Sequence, residues 1–481
     1  MCHRERGAFL DLSILQTARA EMTSSPANRD LFGHPKGLTV LFATEMWERF
    51  SYYGMASLLV LYLVKYLLLP GQVDAVIGYH AVKRGLESIF GPLGPQPLAS
   101  HIYGFYAGFA YLTPILGGYL ADRWLGQRKM VIIGALLMAA GHFLMSFESL
   151  LFVALGFLVL GMGAFKPNVS TQVGSLYALN DPRRVPAYSI YYLGINIGAF
   201  LAPLIAGTLG GEVGWHYGFM AAGVGMLVSL AIYIAGLPHL PPDEVRHLPT
   251  PQVVKRPFDR QERRAIAGLI AVFLLTTFFW ATYEQQGNTL MLWAEDFTDR
   301  RVDLGVWQGQ IPTTWFLTLN SVVIFIFTPL LIKLWDVQRR TGTEMSTISK
   351  LAFAFVCIGI ANLIMATAAI TTGADGKANP LWLVAYFTVV TIGELHLGPV
   401  GLALVSRLAP ARVLSLMMGL WLAASFPGEI LGGWLGGFWS TMPKPQFFLM
   451  IGAIAVVPGL ALYALNPLLR SVFDEQPEAR P

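Results

Sequence analysis

Charge is scarce in this chain. Of 481 residues only 13% are Asp, Glu, Lys or Arg, against 54% hydrophobic, and the mean hydropathy is +0.54. A soluble globular chain carries about 25% charged residues, so this composition excludes a water-soluble fold and points to a polytopic membrane protein. Cysteine is scarcer still. Cys2 and Cys357 are the only two, too few for a disulfide framework or a four-thiolate metal site, and Cys357 lies inside an apolar stretch. There is no GxxxxGK[ST] phosphate loop, no HExxH, no cluster of His and Cys ligands and no GxSxG. ATP-driven work, metal hydrolysis and serine hydrolysis lose their usual anchors, and no cofactor or metal is predicted. The net charge of +4 is small, and no basic stripe or aromatic-basic repeat suggests nucleic acid. Energy for any work then comes from an ion gradient.

Long apolar runs are what the chain has in quantity. About 20 apolar residues are needed to cross about 30 Å of hydrocarbon as helix, and twelve such spans are expected, near 38 to 68, 98 to 121, 130 to 147, 150 to 176, 187 to 209, 217 to 237, 265 to 292, 311 to 335, 347 to 371, 380 to 406, 413 to 440 and 446 to 466. Links after the even-numbered spans carry the Lys and Arg, among them "DRWLGQRK", "NDPRR" and "DVQRRTG". The positive-inside bias puts both termini in the cytoplasm. Lys83 and Arg84 after span one, and "DFTDRRVD" after span seven, dilute the pattern. "GAFLDLSIL" is broken by Asp11 and has no small-residue cleavage site, so no signal peptide is read, and Met22 is an alternative start. The proline-rich, charged stretch around "LPHLPPDEVRHLPTPQ" separates six spans from six. The division expected is a polar N-terminal segment 1–37, a six-helix bundle 38–237, a cytoplasmic linker 238–264, a second six-helix bundle 265–466 and a cytoplasmic tail 467–481. That is an all-α integral membrane plan of the major facilitator superfamily type, with its substrate site near the midplane between the bundles.

A few charges resist this background. In "TEMWERFSYYGMASLLVLYLV", Glu45, Glu48, Arg49, Tyr52, Tyr53 and Ala56 fall at the i, i+3, i+4, i+7, i+8, i+11 spacing and share one helix face. A charge at mid-bilayer costs about 2.5–3.5 kcal/mol, so the stripe has to face water, cargo or itself. An internal ion pair that only staples the helix is the bland alternative to a cavity wall. Three further charges lie deep in apolar sequence: Lys166 in "GFLVLGMGAFKPNVS", Glu284 in "FFWATYEQQGNTL" and Glu394 in "VVTIGELHLGPVGL". Unpaired buried charges are costly, so pairing across a cavity is expected, and a cation from one bundle with an anion from the other would latch the halves. "KPNV" and "GPVG" let helices bend at that depth. Tyr111, Tyr192, Trp280 and Trp421 read on periodicity as packing residues; Asn196 and Asn320 each have the option of bonding a neighbouring helix. His142 and His396 are lone histidines in apolar spans and read as packing residues rather than proton carriers.

These stretches together resemble one family. "EMWERFSYYGM" is similar to the ExxER signature of the proton-dependent oligopeptide transporters, the POT or PTR family. "YLTPILGGYLADRWLGQRK" and "YSIYYLGINIGAF" resemble its two family patterns, and "FKPNVSTQVGSLY", "FFWATYEQQG" and "GELHLGPVGLALV" its fourth, seventh and tenth helices. The resemblance implies proton-coupled uptake of di- and tripeptides by alternating access, in a monomer spanning a bacterial inner membrane. It implies that Arg49 and Lys166 receive the peptide carboxylate, that Glu394 and Asn320 receive the amino terminus, and that Asn196 is a further polar contact. Tyr52, Tyr53, Tyr111, Tyr192, Trp280 and Trp421 match the pocket lining. Glu45, Glu48, Arg49 and Glu284 match the proton-coupling set, and Lys166 with Glu394 the gate salt bridge. A glutamate held by Arg49 does not keep a proton; cargo that takes the arginine releases that glutamate to be protonated, so proton and substrate favour each other's binding.

The chain also departs from the family. The arginine common after "SYYGM" in bacterial members is Ala56, which leaves Glu284 without its expected cation and implies a looser outer gate. The serine four residues after the tenth-helix glutamate is Gly398, the proline after the eighth-helix asparagine is Ser321, and the helix-two histidine of animal members is Gly104. The linker is too short for the two extra helices many bacterial members carry. Rival readings are a carrier of nitrate, a modified amino acid or a peptide-like drug, a peptide sensor without transport, and a membrane-embedded enzyme. The last lacks a nucleophile and base in sequence register.

Overall fold

In the computed structural model the residues described are 29–30, 33–178, 180–243, 257–303, 305, 308–373 and 376–466. Met22, the middle of the expected linker at 244–256 and the tail at 467–481 lie outside them. Helix dominates, as it must where each segment has to satisfy its own backbone N–H and C=O groups away from water.

A two-residue antiparallel pair, β1 (Arg29–Asp30) with β2 (His34–Pro35), precedes seven helices. These are α1 (Lys36–Tyr62), α2 (Tyr79–Phe90), α3 (Pro95–Leu120), α4 (Gln127–Leu144), α5 (Leu151–Ser175), α6 (Arg184–Ala202) and α7 (Trp215–Gly236). After the linker come α8 (Arg260–Tyr283) and α9 (Thr289–Phe297), then an antiparallel hairpin of β3 (Arg301–Asp303) and β4 (Gln308–Gln310). The chain continues as α10 (Trp315–Arg340), α11 (Thr347–Thr372), α12 (Leu381–Leu408), α13 (Leu414–Ala423), α14 (Ser425–Gly436) and α15 (Lys444–Ala464). In the first half α1 packs on α6 and α7, α4 on α5 and α7, and α3 on α5; in the second α11 packs on α12 and α15, α10 on α12, and α8 on α14 and α15. The most extensive helix packing between the halves is that of α3 on α14 and of α6 on α10.

Nine helical segments among the described residues are long and apolar enough to cross a bilayer. The other three spans expected from sequence are helical too, with identifiable reasons for falling short. Glycine, tyrosine and proline dilute α3, and α4 opens on Gln127, Arg128 and Lys129. Span eleven breaks at Ala424 into α13 and α14. Three other boundaries differ from the sequence reading. The long link after span one contains the helix α2, which shows no fully buried residue. Span seven falls within one candidate membrane segment, Arg260–Phe297, but is not one regular α-helix: α8 stops at Tyr283, Glu284–Gln286 form a 3-10 turn, and Asn288, at φ −111 and ψ −99, leaves helical geometry before α9. "DFTDRRVD" contributes β3 of the hairpin.

Helix starts and ends explain how the first half hands over to the second. Asp259 and Glu262 form a reciprocal capping box at the start of α8, with Glu262 N donating to Asp259 Oδ1 at 2.7 Å and Asp259 N to Glu262 Oε2 at 3.0 Å. Beyond α7 the exposed carbonyls are met by Arg128 at the head of α4. Its guanidinium donates to Pro241 O (2.7 Å), to Leu237 O (3.0 Å) and to Leu240 O, while its own N–H donates to Asp243 Oδ1 at 2.7 Å. Gly126, at φ 82, lets this turn close: a Cβ there would lie 2.5 Å from Asp243 Cγ. "ADRWLGQRK" is thus a clamp on the start of the linker. Replacing Arg128 by Ala removes three charge-assisted hydrogen bonds and is expected to cost about 3 kcal/mol. It should lower the melting temperature of the detergent-purified protein; an unchanged melting temperature would contradict the clamp.

Candidate functional site: a polar cavity between the halves

The stripe on α1 is buried as a compact ion cluster. Glu45, Glu48 and Arg49 are 1%, 0% and 3% exposed. Arg49 donates from Nε to Glu48 Oε2 at 2.5 Å and from Nη2 to Glu48 Oε1 at 2.7 Å, a two-point grip, and its Nε lies 3.3 Å from Glu45 Oε1 one turn earlier. The guanidinium also sits over the Tyr52 ring, 5.1 Å from its centroid. Helical spacing produces this arrangement directly, since positions 45 and 49 are one turn apart on one face. Breaking a buried pair by removing one partner costs about 3–5 kcal/mol, so any anion that competes for Arg49 needs Glu48 neutralised.

The opposite wall comes from the second half and is held by neutral donors. Glu394 Oε2 on α12 accepts from the Tyr283 hydroxyl at 2.6 Å and from Asn320 Nδ2 at 2.9 Å. Asn320 Nδ2 also reaches Thr391 Oγ1 at 3.0 Å and Tyr283 Oη at 3.2 Å. Three helices, α8, α10 and α12, therefore converge on one carboxyl group. Glu284 stands at the break after α8 and borders the same space.

Between the two walls lies a cavity of about 240 Å³. Tyr52, Tyr53, Tyr111, Tyr192, Asn196, Trp280, Asn320, Glu284 and Glu394 line it, together with Ala56 and Ser321. Several expected residues are placed otherwise. Arg49, Glu45 and Glu48 sit behind Tyr52 and Tyr53 and are absent from the lining. Lys166 is also set back; its Nζ lies 4.6 Å from the Tyr111 ring centroid, and it makes no ion pair within 4 Å among the described residues. The expected Lys166–Glu394 salt bridge is therefore not formed in this structure, because Tyr111 faces the ammonium and Tyr283 and Asn320 occupy the carboxylate. Trp421 does not line the cavity either: it is 4% exposed, edge-on to Phe273, and packs on the bare backbone of Gly401. His396 Nδ1 donates to Ile392 O at 2.8 Å, and the ring packs between Trp335 and Phe353.

Sequence reasoning missed Tyr283, Thr391, Tyr103 and Glu429. Tyr283 adjoins Glu284, and Thr391 precedes Glu394 by one turn, but a neutral hydroxyl in a helix gives no signal. Glu429, in "SFPGEILGGW", did give one: an acid inside an apolar span, the same signal that singled out Glu284. It is 1% exposed.

The cavity is shut at the end far from Lys36. Lys65 Nζ pairs with Asp296 Oδ1 at 2.5 Å across the halves, Thr314 Oγ1 donates to Pro203 O at 3.1 Å, and Trp315 Nε1 donates to Thr208 Oγ1 at 2.7 Å. The site is thus a chamber with a buried ion cluster behind one wall, a carboxylate on the other and one closed end.

Known proteins share this plan. A family model described as the POT family matches residues 128–258 and 251–450. A peptide transporter of Yersinia enterocolitica is 33% identical over 86% of this chain and 90% of its own. A di-/tripeptide transporter of Lactococcus lactis subsp. cremoris is 30% identical over 93% of this chain and 98% of its own. Among solved structures, a peptide transporter POT in complex with sulfate superimposes with a TM-score of 0.81 at 30% identity, covering 94% of this chain and 98% of that one. Its mutant bound to alafosfalin gives 0.81 at 30% identity, covering 95% and 99%. The fold, the ion cluster of "EMWERF" and these matches lead to one conclusion: this chain is a multi-pass membrane protein that belongs to the POT family.

Proposed function

We propose that this chain is a symporter that imports di- and tripeptides together with protons by alternating access. The observation that carries the reading is the polarity of the cavity. A buried guanidinium gripped by two carboxylates lies behind one wall, and a carboxylate with two neutral partners forms the other. A short peptide is a zwitterion of matching sense. Its carboxylate is drawn to Arg49 and Lys166, and its ammonium to Glu394 and Asn320. Tyr52, Tyr53, Tyr111, Tyr192 and Trp280 give apolar and hydroxyl contact to side chains of any kind, and Asn196 a polar one. The volume of about 240 Å³ lies below the roughly 300 Å³ at which pockets for drug-sized ligands begin. That favours two or three residues over longer peptides.

Coupling follows from competition for Arg49. While Glu48 holds the guanidinium at two points, a peptide carboxylate arriving there would leave Glu48 a buried anion without its cation, which is costly. A proton on Glu48 removes the conflict. Proton and peptide each make the other's binding easier, and Arg49 keeps a carboxylate partner in both the empty and the doubly loaded state. Glu45 approaches the same Arg49 Nε at 3.3 Å, and Glu284 is a further proton-linked group. In the alternate state, with the present opening closed, Lys166 and Glu394 pair as a latch. The rocking units are 38–237 and 265–466. Loop charge supports both termini being cytoplasmic, so that the end closed by Lys65 and Asp296 is the outer one; the setting as a monomer in a bacterial inner membrane rests on the family resemblance.

Purified protein in liposomes tests this. With an acidic exterior and neutral interior, labelled dialanine should accumulate, and competition by nitrate or longer peptides should be weak. Strong competition by nitrate would instead favour the small-anion carrier. Glu48→Gln should abolish gradient-driven accumulation while peptide exchange between the two faces persists, because a neutral amide at 48 mimics the protonated state. Retained accumulation in that variant would contradict the coupling role. Glu394→Gln removes the anion that faces the ammonium, a charged hydrogen bond worth about 1.5–3 kcal/mol, so peptide affinity should fall about ten- to hundredfold. An unaltered affinity would move the amino-terminal site elsewhere.

A further inference from the structure

We propose that Glu429 on α14 is a proton-binding residue that shares a single proton with Glu284 across a buried carboxyl pair. The proposal rests on the proton-coupled reading above and assigns it a second proton site, distinct from the cluster around Arg49.

Three observations carry it. Glu429 is 1% exposed, and its Oε2 meets no N–H or hydroxyl donor among the described residues. The turn that carries Glu284 packs on α14, where Gln285 Nε2 donates to Gly432 O at 2.8 Å, and this sets the two carboxyl groups against each other from different elements. An ionised carboxylate has no hydrogen to give, so two carboxyl groups bond to each other only if one of them carries a proton. Lastly, no arginine among the described residues stands close enough to neutralise the pair. The α1 position facing the same cavity as Glu284 is Ala56. The groups that face Glu429 from the packed elements are Tyr103 and Tyr111 on α3, Tyr52 on α1, Lys166 on α5 and Glu284. Four of these five bring no positive charge, and Lys166 sits over the Tyr111 ring and pairs with no acid within 4 Å among the described residues.

The packing explains how an acid comes to lie here. α3 and α14 cross the boundary between the halves backbone to backbone: a Cβ at Gly104 would lie 2.6 Å from the Glu429 carbonyl O and 2.8 Å from Gly433 Cα. Close approach of this kind needs glycine, and it leaves the Glu429 side chain nowhere to reach water. Glu284 does reach water, because it lines the cavity. A proton entering the chamber therefore meets Glu284 first and settles between its oxygen and that of Glu429. It leaves by the same path to cavity water, and the pair then carries two negative charges at the seam that moves when the halves rock. Like charges in contact repel strongly, so a closed seam favours the protonated pair.

Infrared difference spectroscopy on the purified protein without peptide reads the shared proton directly, whatever the cargo is. Wild type should show a protonated-carboxyl C=O band that persists at near-neutral pH. Because the proton is held by both groups, Glu429→Gln and Glu284→Gln should each remove that band at near-neutral pH. Ala56→Arg should also remove it, by giving Glu284 a cation. A band that survives in Glu429→Gln, or one that survives in Glu284→Gln, would overturn sharing. Each variant is checked by melting temperature; should Glu429→Gln not fold, the Glu284→Gln and Ala56→Arg spectra decide by the same criterion. In liposomes the pH profile of gradient-driven uptake should move to the acid side by about one pH unit in Glu429→Gln, and Glu429→Asp should restore it. An unmoved profile contradicts a role in coupling. Failure of wild-type liposomes to accumulate dialanine would count against the peptide reading alone and would leave the spectral test standing.

Discussion

A guanidinium buried inside a membrane protein sets the terms for everything around it. Arg49 is 3% exposed and cannot give up its charge, so α1 must supply carboxylates within one turn, and Glu45 and Glu48 do. That fixes the face of α1 turned inward, with α6 and α7 packed against the helix. It also means that Arg49 has carboxylate partners without cargo. Transport chemistry then reduces to one exchange: a second anion replaces Glu48 at Arg49, and a proton compensates the carboxylate that is displaced. Electrostatic neutrality of a dry interior is the constraint, and the coupled movement of peptide and proton is how it is kept.

The second half answers with a different device. Glu394 is held by the hydroxyl of Tyr283 and the amide of Asn320, with Thr391 behind them. Neutral donors steady a carboxylate without cancelling its charge, which leaves it able to attract an ammonium group. Glu284 and Glu429 give a third solution, two acids and one proton. The three arrangements, an ion pair, an anion held by neutral donors and a shared proton, lie around one cavity and respond differently to cargo and to pH.

Much of this was legible in the sequence, and the exceptions have physical causes. Apolar runs of membrane length mark helices, and the 45, 48, 49, 52, 53 spacing marks one face, because a stray charge in hydrocarbon is too costly to persist without a partner. Family resemblance then brought Asn320, Asn196 and the tyrosines to the cavity, which periodicity alone would have left as packing. Periodicity does not report depth behind a wall. Arg49, Lys166 and Trp421 were expected at the surface of the pocket; the first two stand against Tyr52 and Tyr111, and Trp421 packs on Gly401 away from the lining. Nor does it report a salt bridge that belongs to another state, as with Lys166 and Glu394. Breaks were hardest to see: the turn at Glu284 to Asn288 carries only one glycine, and the split at Ala424 has no breaker at its own position. Both lie beside acids, and there the backbone geometry places the carboxyl groups.

Peptide and a buried carboxylate compete for Arg49, and a proton resolves the competition. Peptide binding to the purified protein in weakly buffered solution, followed at several pH values with a pH indicator, puts that competition to the test without any need for transport. Peptide affinity should rise as pH falls, and each binding event should take protons up from solution. Peptide affinity independent of pH, with no proton uptake on binding, would contradict it.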